Sequence, residues 1–460
     1  MKLLFKGGTV VSGAGTRVCD LLVDGDKIAQ VGHDLSCPEA TIVDVTGKIL
    51  LPGFVDAHTH FDLDVCNTTT ADDFATGTKA ALRGGTTTII DFACPNKGES
   101  LSYGLSLWQK KAEGKAFCDY GFHMTIDDWN ETIRREIPAM VEAGIPTFKL
   151  YMTYPAMMVG DRDLFRALKE LGKYGAIAGV HCENAGVIDA LIAEARAEGR
   201  LSPASHPATR PNAMEAEAVA RLLRMAQVAD VPVIIVHLST KEALEEVRTA
   251  RARGQQVYVE TCPHYLLLDE SRYFHKDPLE AAKYVCAPPL RTAHDQEALW
   301  QALADGTVQT VATDHCSFTL AQKRVGLDDF TKIPGGLPSV ESRGILLWSE
   351  GVAKGRLTAE KLCSLLAEEP AKLYGAYPRK GALLPGSDAD IVVLDPEAQG
   401  VLTAKDQAAN VDYCPYEGLQ TKGVIRQVYL RGELSVSDGQ VLSQPRGEYI
   451  HRKTGRDTIE

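Results

Sequence analysis

Apolar residues are distributed along this chain in three textures. Up to about residue 51, short runs such as Leu21-Leu22-Val23 and Ile28-Ala29-Gln30-Val31-Gly32 are separated by turn residues, among them Asp24-Gly25-Asp26. That pattern predicts strands joined by tight turns. It returns after about residue 383, in Ala389-Asp390-Ile391-Val392-Val393-Leu394-Asp395 and Val424-Ile425-Arg426-Gln427-Val428-Tyr429-Leu430-Arg431-Gly432. Two β-rich ends around a different middle predict one small β-sandwich domain, 1–51 plus 383–460, carrying a C-terminal arm. The polar stretch 446–453 within it reads as a frayed end or as an arm onto a neighbouring subunit.

The middle, 52–382, alternates. Eight short apolar runs, at 54–58, 86–92, 120–126, 147–152, 177–183, 233–238, 257–262 and 310–315, are separated by amphipathic stretches such as 162–174, 213–229 and 241–253. Strands that are apolar throughout, with helical crossovers, indicate a parallel sheet covered on both faces. Eight such repeats over roughly 330 residues predict an α/β fold, a TIM-like (β/α)8 barrel with insertions, as the catalytic domain. An open doubly wound sheet has the same periodicity and stays as an alternative. Gly84-Gly85-Thr86 precedes a strand, the wrong side for a phosphate loop.

Bulk properties narrow the function classes. At 460 residues the chain exceeds one small core, in line with a large and a small domain. A net charge of -12, with no basic stripe, argues against nucleic acid as a partner. No run approaches the roughly 18 to 20 apolar residues of a membrane span. The N-terminal run Leu3-Leu4-Phe5 is too short for a signal peptide. The 11 cysteines, with no C-x-x-C pair, suit free thiols in a reducing compartment, so a cytoplasmic protein is predicted.

The chemistry sits at the strand ends. The first run ends in Asp56-Ala57-His58-Thr59-His60; an i, i+2 pair on an extended chain points to one side, so His58 and His60 can grip one ion. An isolated H-x-H is weak evidence, but the fifth, sixth and eighth runs end in His181-Cys182-Glu183, His237-Leu238 and Asp314-His315. In a barrel these ends converge on one face, and four histidines with an aspartate suit Zn²⁺ or Mn²⁺. Lys149 lies in the fourth run. One reading is a snorkelling or ion-paired lysine. The other is a desolvated amine that loses its proton and captures CO₂ as a carbamate, offering one anionic oxygen to each of two divalent ions.

Together, Asp56-Ala57-His58-Thr59-His60-Phe61-Asp62, Phe148-Lys149-Leu150-Tyr151, His181, Val236-His237-Leu238-Ser239 and Ala312-Thr313-Asp314-His315 resemble the hydantoinase and dihydropyrimidinase family of cyclic amidohydrolases. Gly84-Gly85-Thr86-Thr87-Thr88, Glu260-Thr261-Cys262-Pro263, Pro288-Pro289-Leu290-Arg291 and Pro385-Gly386-Ser387-Asp388-Ala389-Asp390 extend the resemblance over nearly the whole chain. It implies a hydrolase that opens the ring amide of hydantoins or dihydropyrimidines to N-carbamoyl amino acids. His58, His60 and Asp314 would hold one ion and His181 and His237 the other, bridged by carboxylated Lys149 and a hydroxide. The hydroxide would attack the ring carbonyl, Asp314 would pass the proton to the leaving nitrogen, and Tyr154 would stabilise the oxyanion. The family reads the ring through backbone near Ala287 and Gly335, where serine and asparagine are usual; both positions depart here, which puts loop stiffness and substrate range in question.

Leu63, Val65, Phe92, Tyr151, Met157 and Met158 would line the mouth, with ordinary packing as the competing reading. The family is usually tetrameric or dimeric, which implies a homo-oligomer. His123, His264 and His315 are expected behind the ligands, Glu183 and Glu260 in hydrogen bonds inside the barrel, and His33, His206, His275, His294 and His451 in loops. A dihydroorotase would place an arginine after H-x-H, where Phe61-Asp62 stands. An allantoinase, or another cyclic ureide or imide hydrolase, stays open. A catalytically silent scaffold paralogue would have lost ligands, and every ligand position is filled here.

Overall fold

All eight apolar runs of the middle segment are strands in the computed structural model, which describes residues 1–454. They are Phe54–Thr59, Thr86–Ala93, Asp119–Thr125, Thr147–Tyr151, Ile177–His181, Val233–Ile235, Val257–Thr261 and Thr310–Val311, paired in that order. Every pairing is parallel. Burial explains the missing alternation: all of Thr86–Ala93 is buried, because one face meets the barrel interior and the other meets helices. The sheet closes where Thr59 bridges His315 and the His60 N–H donates to the His315 carbonyl at 2.8 Å. Buried Arg343 reinforces that seam, donating Nη1 to the carbonyls of Val55 and Val311 at 2.9 Å each. The barrel, rather than the open sheet, is the fold.

Local chemistry sets the crossover helices. Phe74–Arg83 starts at a capping box of Asp73 and Thr76, and Ala293–Asp305 starts at Thr292 and Asp295 and stops at Gly306 with φ 83°. Lys241–Ala252 buries Ala243, Leu244, Val247 and Ala250, one stripe at helical spacing. No helix among the described residues is long and apolar enough to cross a membrane.

The two chain ends share one nine-stranded, mostly antiparallel sheet. Its join is Ile391–Val401 against Ile49–Pro52, with Ile391 opposite Pro52 and Leu394 opposite Ile49. Phe5, Val23, Leu50, Ile391 and Tyr429 belong to a core of its own. Beneath it, the buried Lys380 ammonium binds Asp390 at 2.8 Å and Asp388 at 2.9 Å, and also Asp119 of the third barrel strand, tying the sheet to the barrel.

The polar tail is not frayed. The Tyr120 N–H donates to the Glu448 carbonyl at 2.9 Å and the Ile450 N–H to the Tyr120 carbonyl at 2.7 Å, so the tail runs beside the third barrel strand of its own chain. Arg452 is 1% exposed and donates Nη1 to Thr147 Oγ1 and the Tyr374 carbonyl at 3.0 Å each. The last six residues of the expected C-terminal arm, 455–460, lie outside the described residues. Arg452→Met strips these acceptors of their donor and is expected to cost about 2–4 kcal/mol, read as a lowered urea midpoint. An unchanged midpoint would show that the tail adds nothing to stability.

Candidate functional site

The C-terminal ends of the barrel strands surround a cavity of about 390 Å³ lined by His58, His60, Lys149, His181, His237 and Asp314. The six side chains predicted from five distant strands are therefore brought together. A smaller cavity of about 270 Å³ at the junction with the end sheet, lined by Arg83, Glu341 and Arg426 among others, has no histidine, lysine or cysteine in its wall. Metal-type chemistry belongs to the barrel mouth.

His58 and His60 leave the first strand on the same side, their ring centroids 5.2 Å apart. His58 Nδ1 lies 2.6 Å from Glu260 Oε1, which makes Nδ1–H the donor and leaves Nε2 a lone pair. That Nε2 is buried without a hydrogen-bond partner, as is His237 Nδ1. His58, His237 and Asp314 each present a ligand atom within 4.8 Å of the others. Asp314 Oδ1 lies 3.1 Å from His60 Nε2 and 3.2 Å from His58 Nε2. Unspent imidazole lone pairs aimed at a carboxylate are the donor set a divalent cation requires. The tight group joins His58 and Asp314, expected at one ion, to His237, expected at the other, so the two sets of ligands share one cavity.

His181 ends the fifth strand, with Nε2 2.7 Å from Glu183 Oε2, and Glu183 is held in turn by Arg210 Nη1 at 2.8 Å. A carboxylate behind an imidazole fixes its tautomer and turns its other nitrogen towards an ion. Glu183 and Glu260 thus hold the rings in the expected hydrogen bonds. Three site residues adopt left-handed backbone, Tyr154 at φ 68°, His237 at 39° and Asp314 at 48°. For non-glycine residues that conformation costs energy and collects at functional sites.

The electrostatics follow from burial. Burial pulls the Lys149 ammonium down to about 8, against the opposing pull of Asp314 and Glu260. The chain is 1% exposed there, and Nζ sits 5.0 Å over the Phe92 ring and 5.1 Å over Tyr151. Burial pushes the Asp314 carboxyl up, yet the adjoining His58 and His60 imidazoles hold it well below the usual carboxylate range. Burial raises the Tyr154 phenol well above its ordinary value, so it stays a proton donor.

Of the predicted substrate residues, Tyr154, Ala287, Gly335, Leu63, Val65, Tyr151 and Met157 line the cavity. Phe92 and Met158 do not. Phe92 lies beneath the ligands, 4.6 Å from the His58 ring and 4.7 Å from His123, because its strand position faces the barrel interior. Met158 is replaced at the wall by Met157; both N–H groups donate to the Tyr154 carbonyl at 2.8 Å in one tight turn. His206, expected in a loop, is buried in the wall with Nε2 2.7 Å from the Cys286 carbonyl. Arg210, Cys66 and Cys316 also line it and were not anticipated. His123 bonds Thr147 and the Ala57 carbonyl and His315 bonds Asp72 at 3.0 Å, both in the supporting roles expected.

The sequence profile of the amidohydrolase family matches residues 49–123 and 95–435. The chain is 42% identical to the D-hydantoinase of Geobacillus stearothermophilus over 456 residues, covering 98% of this chain and 97% of that one. It is 43% identical to the D-phenylhydantoinase of Escherichia coli strain SE11 over 460 residues, covering 98% of each. The crystal structure of dihydropyrimidinase from Brevibacillus agri NCHU1002 superimposes with a TM-score of 0.97 at 42% identity, covering 99% of each chain.

Proposed function

Since the chain belongs to the amidohydrolase family, we propose that it hydrolyses the ring amide of hydantoins or dihydropyrimidines, releasing N-carbamoyl amino acids. The observation that carries this reading is the gathering of four imidazoles, Asp314 and a buried, desolvated Lys149 in one cavity. Its wall also holds the backbone of Ala287 and Gly335, whose polar groups suit the C(=O)–NH–C(=O) edge of a cyclic amide. Full-length likeness to proteins named hydantoinases and a dihydropyrimidinase supports the same substrate class.

His58, His60 and Asp314 would hold one divalent ion and His181 and His237 a second, with Lys149, carboxylated by CO₂, supplying an oxygen to each. Zinc fits this nitrogen and oxygen set best, and manganese is the alternative. When bound, such ions polarise the ring carbonyl and make water nucleophilic at neutral pH. The remaining work falls to the chain. Asp314 accepts the proton of the attacking water as its oxygen bonds to the ring carbonyl carbon. It returns that proton to the ring nitrogen as the C–N bond breaks, leaving a ureido group and a carboxylic acid, which releases its remaining proton to solvent as a carboxylate. Tyr154 donates its hydroxyl to the carbonyl oxygen as charge builds there.

Tyr154→Phe is therefore expected to lower kcat about 10²-fold with bound metal unchanged. Unaltered turnover would remove the phenol from the mechanism. The substrate reading is tested on metal-loaded protein with dihydrouracil, hydantoin, 5-substituted hydantoins and allantoin, following loss of ring absorbance before and after chelation. Chelator-sensitive opening of hydantoins or dihydrouracil supports it. Opening of allantoin alone would reassign the enzyme, and inertness towards all four would end the reading.

A further inference from the structure

Two loops wall one side of the cavity, one around Cys286 and Ala287 and the other around Ile333, Gly335 and Gly336. The second contains adjacent glycines, and a Cβ placed on Gly335 would meet nothing nearer than 3.9 Å, so side-chain packing does not hold it. Both loops converge on Lys323, in the short helix Leu320–Arg324. This lysine is fully buried, at 0% exposure. Its Nζ donates to the carbonyls of Val285 at 2.9 Å, Pro334 at 2.7 Å and Gly336 at 2.9 Å. Three acceptors match the three protons of an ammonium, and no neutral side chain offers three N–H bonds from one atom.

We propose that Lys323 is a positioning residue that sets the ring-reading edge of the cavity. In a trans peptide the C=O and N–H point in opposite directions. Turning the Pro334 carbonyl onto Nζ therefore directs the Gly335 N–H away from the lysine. The Gly336 N–H is spent on the Val285 carbonyl at 2.9 Å, which turns the Gly335 carbonyl the opposite way. Among the described residues neither the N–H nor the C=O of Gly335 has a protein partner, and neither does the Ala287 N–H. Lys323 thus brackets Gly335 from both sides and ties its loop to the one bearing Ala287, fixing two donors and an acceptor at a set spacing. His206 on the Cys286 carbonyl and Tyr265 on the Pro288 carbonyl, both at 2.7 Å, steady the first loop; of these side chains, only Lys323 also grips the second.

The inference rests on the cyclic-amide reading, and one experiment separates the two. Wild type, Lys323→Met and Lys323→Gln are loaded with metal and assayed on hydantoin and dihydrouracil, with ion content, kcat and KM measured for each. Loss of the clamp lets the ring edge wander while the ligands stay put, so Lys323→Met is expected to raise KM about tenfold or more. Lys323→Gln, which keeps amide donors, should raise it less, with kcat within about threefold and ion content unchanged in both. Adding Gly335→Ala, whose methyl has room, narrows the loop's conformational freedom and should recover part of the KM. A lysine needed only for folding would lower the active fraction, and with it kcat, at constant KM; that result overturns the proposal, as does an unchanged KM. If Lys323→Met does not fold, the KM of Lys323→Gln decides alone. Wild type inert on both substrates would instead count against the cyclic-amide reading.

Discussion

Lys149→Met is expected to abolish turnover, lowering it by about three orders of magnitude or more, close to 4 kcal/mol of barrier. Methionine is of similar length and apolar, so it fills the volume between Phe92 and Tyr151 that the lysine stem now occupies. The barrel should survive the change, because the lysine is buried in a strand whose residues are all buried. What is lost is the amine that would carry a carbamate. Without an anion between them, the two proposed dications would face each other with only imidazoles and Asp314 in compensation, so at least one ion should be missing from the purified variant. Metal content per chain and kcat, measured on the same preparation, check both parts. A variant that keeps two ions and full turnover would eliminate the carbamate.

Asp314→Asn should reduce kcat about 10³-fold while the protein stays folded. Asparagine keeps the shape and an oxygen, and it tolerates the left-handed φ of 48° that position 314 adopts. It has neither the charge that His58 and His60 now meet at 3.2 and 3.1 Å nor the basicity to take a proton from water. The effect should fall on kcat more than on KM, since the proposed ring recognition lies on the loops of Ala287 and Gly335. An asparagine variant within tenfold of wild type would show that another group moves the proton.

How much of this was legible beforehand depended on how each residue is placed. The eight strands were readable because burial on both faces favours apolar residues at consecutive positions, as along Val233–Ile235. The six candidate ligands were readable because they interrupt or end those runs, and polarity inside an apolar strand needs a reason. Lys323 gave no such signal: in Leu320-Ala321-Gln322-Lys323-Arg324 it looks like any surface lysine, and only the packing of two distant loops around it makes it buried. Arg210 and His206 come from the insertion between the fifth and sixth strands, where no strand-end logic applies. Phe92 was misplaced because the resemblance marked a neighbourhood, whereas the pleat of its strand decides which face it takes.

Read by itself, the order of residues determined the alternation of strands and helices in the middle, the two β-rich ends and the identity of the side chains that could meet an ion, because periodicity and strand-end polarity are local properties of a chain. Closure of the sheet into a barrel was decided by the tertiary contact of Thr59 with His315. Tertiary structure also decided which side chains touch: that Asp314 stands between His58 and His60, that Glu260 and Glu183 lock two imidazoles, and that one ammonium holds two loops. Those contacts join positions up to hundreds of residues apart, and their distances are set by how closed sheets and packed loops meet, which no local pattern encodes.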